Sequence, residues 1–354
     1  MTSTSPPALD PSALFAAVSA LGIGGTAPSV DAVFCGGEHH TYKLIFPDHE
    51  SLAVRVPLYT GVVGSISSTP EDVIDTVRHE QRILEMLEQK GFKWAPRCLG
   101  GSLGFENEIR SPFLVLTWVE GQTLPWDGES PAGEAREKVL GQIAGIQASL
   151  IECTLKTGTT TASAFFERIA ANRRTRVLEG KIPELTEQDC VDQASLLSRV
   201  LGKWGSDTMM AVDHGDIQPQ NIIVDGEGNI TGIIDWSFAS SVPLLRAAGL
   251  PRFLWGEGGV PDPQVQADRE VYIASFADVD SKAASYMRQV QGVRDVDFRT
   301  LYVESLFSKG VRKLLAGKGW KIPGHELRED GDGEERGGGD EGGDNGRAEP
   351  GGEL

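Results

Sequence analysis

The run Val212-Asp213-His214-Gly215-Asp216-Ile217-Gln218-Pro219-Gln220-Asn221 sets two carboxylates, an imidazole and three carboxamides close together in the chain. A further carboxylate, Asp235, follows after two short apolar stretches. Asp216 is of a type that can accept a proton from a substrate hydroxyl. Asn221 and Asp235 offer an amide oxygen and a carboxylate. Both are hard ligands suited to Mg²⁺, which keeps its other positions for phosphate and water. Each residue alone has a plainer reading, since a single Asn or Asp is more often a turn residue or a cap.

Such groups work only if the chain brings them together. Ile222-Ile223-Val224, the turn Asp225-Gly226-Glu227-Gly228-Asn229 and Ile230-Thr231-Gly232-Ile233-Ile234 read as a β-hairpin. Folding it back places Asn221 beside Asp235. Upstream, Ala32-Val33-Phe34, the pair Gly36-Gly37, Tyr42 to Phe46 and Leu52 to Val56 read as strands with a glycine loop at their start. Thr69-Pro70-Glu71-Asp72 opens a helix that Gly91 closes. Its apolar stripe is Val73, Val77, Leu84 and Leu87, and Glu80 fills the gap in that stripe. A carboxylate there either reaches water at the stripe's edge or takes a cationic partner. Phe113 to Val119 reads as a buried strand, and Glu120-Gly121 as a lobe boundary. Beyond it the pattern turns helical. One helix starts at Ser130-Pro131, and another runs from the capping box Thr186 to Asp189 as far as Leu201. The class expected is α+β, with a β-rich first part holding one main helix and a mainly α-helical second part.

His214-Gly215-Asp216, four residues, Asn221, a hairpin and then Ile234-Asp235-Trp236 resembles the catalytic and metal motifs of the aminoglycoside phosphotransferase family. The similarity is greatest to fungal members, in which Ile-Asp-Trp precedes a Pro-Leu segment. Here that segment is Pro243-Leu244, with Leu250-Pro251 after it. The resemblance spans roughly residues 30–320 in order of elements and is sharpest over 212–256. It implies a protein-kinase-like bilobal fold. Residues 1–29 would be an N-terminal segment with a short helix, 30–120 the nucleotide-binding lobe and 121–325 the catalytic and substrate-binding lobe. Residues 326–354 would be a disordered acidic, Gly-rich tail.

The resemblance also implies roles. Asp216 corresponds to the catalytic-loop acid, Asn221 and Asp235 to the metal ligands, and His214 to a structural histidine. Gly36 and Gly37 fall at the phosphate-covering loop. The adenine would lie against the backbone from Thr117 to Val119. In such folds a strand lysine contacts the phosphates and pairs with a helix glutamate. The cation here would be Arg55, with Glu80 as its partner. Arg for Lys is a departure, since a guanidinium is a planar fork and an ammonium a point charge.

The implied reaction is transfer of the γ-phosphoryl group of ATP, with Mg²⁺, to a hydroxyl of a small molecule. Arg55 and the short glycine loop keep a second expectation open, a pseudokinase, nucleotide-binding or nucleotide-free, that acts as a scaffold without transfer activity. A protein kinase fits least, because Asp235-Trp236-Ser237 stands where Asp-Phe-Gly would and no Ala-Pro-Glu segment follows.

Composition adds limits. The 354 residues include 33 Lys+Arg against 51 Asp+Glu, a net charge of −18. That balance disfavours a nucleic-acid partner, whose phosphates need clustered cations. Glu326 to Leu354 alone holds 11 acidic, 3 basic and 10 Gly residues. Such a stretch cannot offset the entropy of ordering it. Glu257, Asp262, Asp268 and Glu270 are either a solvated surface or the face of a cationic acceptor. No stretch approaches the ~18 apolar residues of a membrane span. Met1 to Ser12 lacks the basic start of a secretory leader. Cys35, Cys98, Cys153 and Cys190 have no metal or redox spacing, so a reducing, cytoplasmic setting is expected.

Overall fold

The computed structural model describes residues 9–58, 69–255, 262–276, 281–292 and 296–321. The acidic stretch 326–354 and Glu257 lie outside them. The small lobe comprises α1 (Pro11–Ala20), β1 (Ser29–Cys35), β2 (His39–Ile45), β3 (Leu52–Pro57), α2 (Pro70–Gln89), β4 (Cys98–Ser102) and β5 (Phe113–Thr117). Its strands form one antiparallel sheet in the order β1-β2-β3-β5-β4.

Strand alternation decides where the chemistry sits. Leu52, Val54 and Val56 of β3 join Phe113 and Val115 of β5 and Leu14, Ala17 and Val18 of α1 in one apolar core. Ala53 lies in a second core with Leu114 and Leu116 of β5 and Val77, Leu84 and Leu87 of α2. Arg55 shares the parity of Ala53 and therefore meets α2. Both faces are covered, so β3 reads as an apolar run that only Arg55 interrupts. Because α1 packs on this sheet, residues 11–20 supply part of the small lobe's core.

Helix α2 starts as its sequence predicts. Thr69 and Asp72 form a reciprocal capping box, which satisfies two amides of the first turn. Its buried face is Val73, Val77, Glu80, Ile83, Leu84 and Leu87.

The larger lobe follows with β6 (Gln122–Thr123), α3 (Gly133–Thr154), β7 (Lys156–Thr157), α4 (Ala162–Leu178), α5 (Glu187–Leu201) and β8 (Met209–Asp213). Next come β9 (Ile222–Val224), β10 (Ile230–Ile233), β11 (Ser240–Pro243) and α6 (Leu244–Ala247). The last are α7 (Pro263–Ala274), α8 (Lys282–Gln291), α9 (Val296–Ser305) and α10 (Lys309–Gly317). Two small sheets, β10-β9-β6 and β11-β8-β7, carry the polar loops. The second core runs from Leu84 of α2 through Ile143 of α3 and Trp236 to Tyr302 of α9, so one continuous interior fastens the two lobes.

Helix α3 is the central post. Thr154 Oγ1 accepts the N–H of Val212 at 3.0 Å and pins β8. Gln147 Nε2 donates to the carbonyls of Ala247 and Gly249, both at 2.8 Å, and pins the segment after β11. Arg136 grips Asp268 of α7 through two hydrogen bonds of 2.7 Å. The predicted strand to Val119 stops at Thr117, where the Trp118 N–H turns to the Ser51 carbonyl at 3.2 Å. Among the described residues no helix is long and apolar enough to cross a membrane.

Candidate active site

Strand β8 delivers the chain into the loop 214–221, which packs against the backbone of Phe238. A Cβ on Gly215 would lie 2.6 Å from the Phe238 carbonyl oxygen, and its φ is +81°. Only glycine satisfies both demands. His214 is fully buried, with its ring centroid 4.5 Å from that of Trp236. Its Nε2 donates to the Ile234 carbonyl at 3.1 Å, and its Nδ1 accepts the Asp216 N–H at 3.3 Å. Burial pushes its pKa down, against the pull of Asp213, Asp235 and Asp216. A neutral Nε2–H imidazole fits both bonds, so His214 ties the loop to the hairpin and takes no part as a charge.

Asp216 stands at the loop's centre. Gln218 Nε2 donates to its Oδ1, and Asn221 Nδ2 donates to its Oδ2 at 3.1 Å and to its carbonyl at 2.9 Å. Strands β9 and β10 pair as expected, with Ile222 opposite Ile233. The Ile234 N–H then donates to the Asn221 carbonyl at 2.9 Å. Asp235 is the next residue, so the hairpin closes Asn221 and Asp235 onto one another. Asp235 has φ +64°, a left-handed conformation that Asp tolerates better than most side chains. That turn takes the chain out of β10.

From the small lobe, Arg55 reaches the same point. Its Nη2 donates to Asp235 Oδ1, which also accepts from Ser237 Oγ at 2.8 Å. Its Nε lies 3.3 Å from Glu80 Oε2, an ionic contact off hydrogen-bond alignment. Glu80 is 2% exposed, which settles its alternatives: it is a buried, paired carboxylate. Burial pushes its pKa up and Arg55 only partly offsets this. For Asp235, burial also pushes upward, but Arg55 and the Ser237 hydrogen bond prevail and hold the carboxyl below its usual range.

Gly36 and Gly37 form the turn between β1 and β2, closed by Gly36 N–H to the His39 carbonyl at 2.9 Å. The next residue is Glu38. Burial and then the charges of Asp235 and Asp216 push its pKa up, and Arg55 only partly offsets this. His39 follows, buried, with Nδ1 3.3 Å from Arg55 Nη2. Burial, then the charge of Arg55, depresses its pKa to about 3.

At the strand's end, the Thr117 N–H donates to the Arg97 carbonyl at 3.0 Å. Thr117 Oγ1 accepts the Arg97 N–H at 2.9 Å. Thr117 therefore splices β5 to the α2–β4 connection, with its amide spent. Val119 packs on Gly232 of β10, where a Cβ would meet its Cγ1 at 2.9 Å. Among the described residues the Val119 N–H has no hydrogen bond.

The donor set suits a hard dication. The Ile234 N–H bond to the Asn221 carbonyl brings two residues with side-chain oxygens, Asn221 and Asp235, to one end of the hairpin, and the Asp235 carboxyl is held below its usual range. No group of three His, Cys, Asp or Glu assembles a metal cage among the described residues. An ion here would complete its shell with phosphate and water.

The phosphotransferase enzyme family model matches residues 36–246, from the glycine loop to the segment after β11. The chain belongs to this family. The fold is similar to that of a protein from Ralstonia eutropha JMP134 taken to be an aminoglycoside phosphotransferase, with a TM-score of 0.51 at 16% identity over 88% of this chain and 95% of that one. It is similar also to the gentamicin complex of APH(2")-IIa, with a TM-score of 0.52 at 11% identity over 82% of this chain and 91% of that one. Among curated relatives, clavilactone A biosynthesis cluster protein Y of Ampulloclitocybe clavipes is 30% identical over 29% of this chain. The match spans a quarter (25%) of that protein's length.

Sequence reasoning missed Glu38, His39 and Ser237 at this site, and also Arg252, whose Nη1 lies 3.9 Å from Asp216 Oδ1. None lies on a periodic pattern, and Arg252 comes near Asp216 only through the packing of segment 244–254. The three described acids considered for a cationic acceptor are otherwise engaged. Asp262 caps α7, Asp268 is buried on Arg136, and Glu270 accepts from Gln266 on the same helix.

Proposed function

We propose that this chain is an ATP-dependent phosphotransferase that passes the γ-phosphoryl group to a hydroxyl of a small molecule. The observation that carries the reading is the joint placement of Asp216, Asn221 and Asp235. One carboxamide hydrogen-bonds Asp216 at 3.1 Å, while its own backbone carbonyl holds the residue before Asp235. A fold has no need of that triple for stability alone.

In this reading 30–120 is the nucleotide lobe and 121–325 the catalytic and acceptor lobe. Asp216 orients the acceptor O–H and takes its proton as the oxygen bonds to phosphorus and the bond to ADP breaks. Asn221 and Asp235 hold Mg²⁺, which when bound offsets charge on the phosphates. Arg55, braced by Glu80, directs its guanidinium to the phosphate side of Asp235. Gly36 and Gly37 let the turn approach the phosphates, and Val119 N–H meets the base.

One observation favours a second reading, the scaffold without transfer. Arg55 already engages Asp235 Oδ1. Thermal melting with Mg·ATP and ADP release with a panel of hydroxy compounds decide between them. The phosphotransferase raises its Tm with Mg·ATP and releases ADP in the presence of an acceptor, and Asp216→Ala keeps the shift while losing the transfer. A shift without transfer for any compound favours the scaffold.

A further inference from the structure

Beside the catalytic loop the larger lobe holds a small cavity of about 70 Å³ that opens to solvent. It abuts the loop through Gly215 and Ile217, the two neighbours of Asp216. Arg55, Glu80, Asn221 and Asp235 do not line it. It is therefore a space separate from the groups assigned to the nucleotide, beside the loop that carries Asp216, from which an acceptor hydroxyl could approach that carboxylate.

Its charge is unlike that expected for a cationic acceptor. The acids in its wall are Asp213 and Glu304, and one cation occupies both. Arg246 Nε lies 3.0 Å from Asp213 Oδ2 and its Nη2 lies 3.3 Å from Glu304 Oε2. The guanidinium is clamped over the Phe307 ring, 3.5 Å from its centroid, and Nη1 is buried without a partner. Arg252 lines the same cavity with a half-exposed side chain. Its guanidinium makes no hydrogen bond among the described residues and lies 5.9 Å from the centroid of the Trp255 ring. Its approach of 3.9 Å to Asp216 is too long for one. Around it are the apolar walls Ile217, Leu250 and Trp255. An unbonded guanidinium at an apolar wall is a fork for a carboxylate or phosphate. An ammonium there would meet Arg252 as a like charge and find the acids already paired.

We infer that the acceptor is a hydroxyl-bearing organic anion, a hydroxycarboxylate or a phosphate ester, whose anionic group binds Arg252 while its hydroxyl meets Asp216. The nearness of Arg252 to Asp216 requires a short carbon chain between the two groups. This assignment rests on the phosphotransferase reading above.

The test uses the full chain with Mg·ADP and, as probes, glycerate, gluconate and glycerol 2-phosphate at millimolar concentration. Glycerol stands as the neutral control, and choline, ethanolamine and kanamycin as the cations. The anions are expected to raise Tm, and Arg252→Ala to weaken their binding by about 10- to 100-fold, with Arg252→Lys intermediate. Glycerate and gluconate distinguish a carboxylate from the ester's phosphate. With Mg·ATP, ADP release is expected for at least one anion, with the variant's defect in KM rather than kcat. The inference is overturned if no anion shifts Tm, if anions act equally on wild type and Arg252→Ala, or if a cation is the better ligand. It is overturned too if Arg252→Ala abolishes the Mg·ATP shift, which would assign Arg252 to the nucleotide. Absence of any Mg·ATP shift in the wild type instead defeats the phosphotransferase reading itself.

Discussion

Arg55 and Asp235, 180 residues apart in the chain, are joined by a hydrogen bond from Nη2 to Oδ1. The same guanidinium faces Glu80 of α2 at 3.3 Å. One cation thus serves two carboxylates, one from each lobe. Its side chain is 9% exposed, so solvent screens it little. The relationship couples the lobes electrostatically at the point where the proposed nucleotide phosphates would lie.

Removing that cation leaves two acids with no counter-charge. Arg55→Met is expected to cost about 3–5 kcal/mol, as for other broken buried ion pairs. The double variant Arg55→Met/Glu80→Leu should recover most of the loss, because no buried charge then remains at α2. Urea unfolding of the three proteins measures this. A double variant no more stable than Arg55→Met would show that Glu80 is not the source.

Gly215→Ala meets both a left-handed φ and the Phe238 carbonyl 2.6 Å away. A cost of about 1–3 kcal/mol is expected from the backbone alone. The loop can relieve the contact only by shifting, which moves Asp216 from its place. Transfer should therefore fall more than stability does, while Tm with Mg·ATP still rises. Unaltered kcat in a folded Gly215→Ala would contradict the packing described.

Asp235→Asn keeps the shape and removes the charge that a dication and Arg55 share. The Mg²⁺ needed for half-maximal ATP binding should rise about 10- to 100-fold, as when a charge-assisted contact is lost. Calorimetric titration of Mg²⁺ at fixed ATP reads this directly. An unchanged requirement would remove Asp235 from the ligand set.

His39 sets part of the acid response. Its folded pKa is about 3, chiefly through burial and then through Arg55, against an ordinary 6.5. Between those values the unfolded chain binds a proton that the folded one refuses, so stability falls as pH falls. The slope from this one group is up to ~1.36 kcal/mol per pH unit. His39→Gln should flatten the stability curve between about pH 6 and 4.5, above the range where carboxylates contribute most. His214, depressed in the same direction by its burial, stays in both proteins and cancels in the difference. Equal slopes would mean that His39 protonates freely in the folded state.

The hairpin around Asp225 to Asn229, the capped helix α2 and the succession of strands before helices were legible because each is written in local patterns. Apolar alternation, a turn and a cap act over a few residues, and no distant partner need be known. The nearness of Asn221 to Asp235 followed from the same hairpin. Glu80 was legible only as a question, since a helical stripe shows that a carboxylate faces the interior but not what awaits it there.

What awaits it is a tertiary matter. Covering the sheet with α1 on one side and α2 on the other gave Arg55 its facing, and the shared core of the two lobes brought Asp235 within its reach. Arg252 came beside Asp216 because Gln147 of α3 pins the segment after β11. Sequence by itself determined the chemical types, their order and the family to which they belong, because those are properties of local spacing. Which charges meet, and hence whether the acceptor cavity presents a cation or an anion, depended on contacts between residues tens to hundreds of positions apart, and only packing decides such contacts.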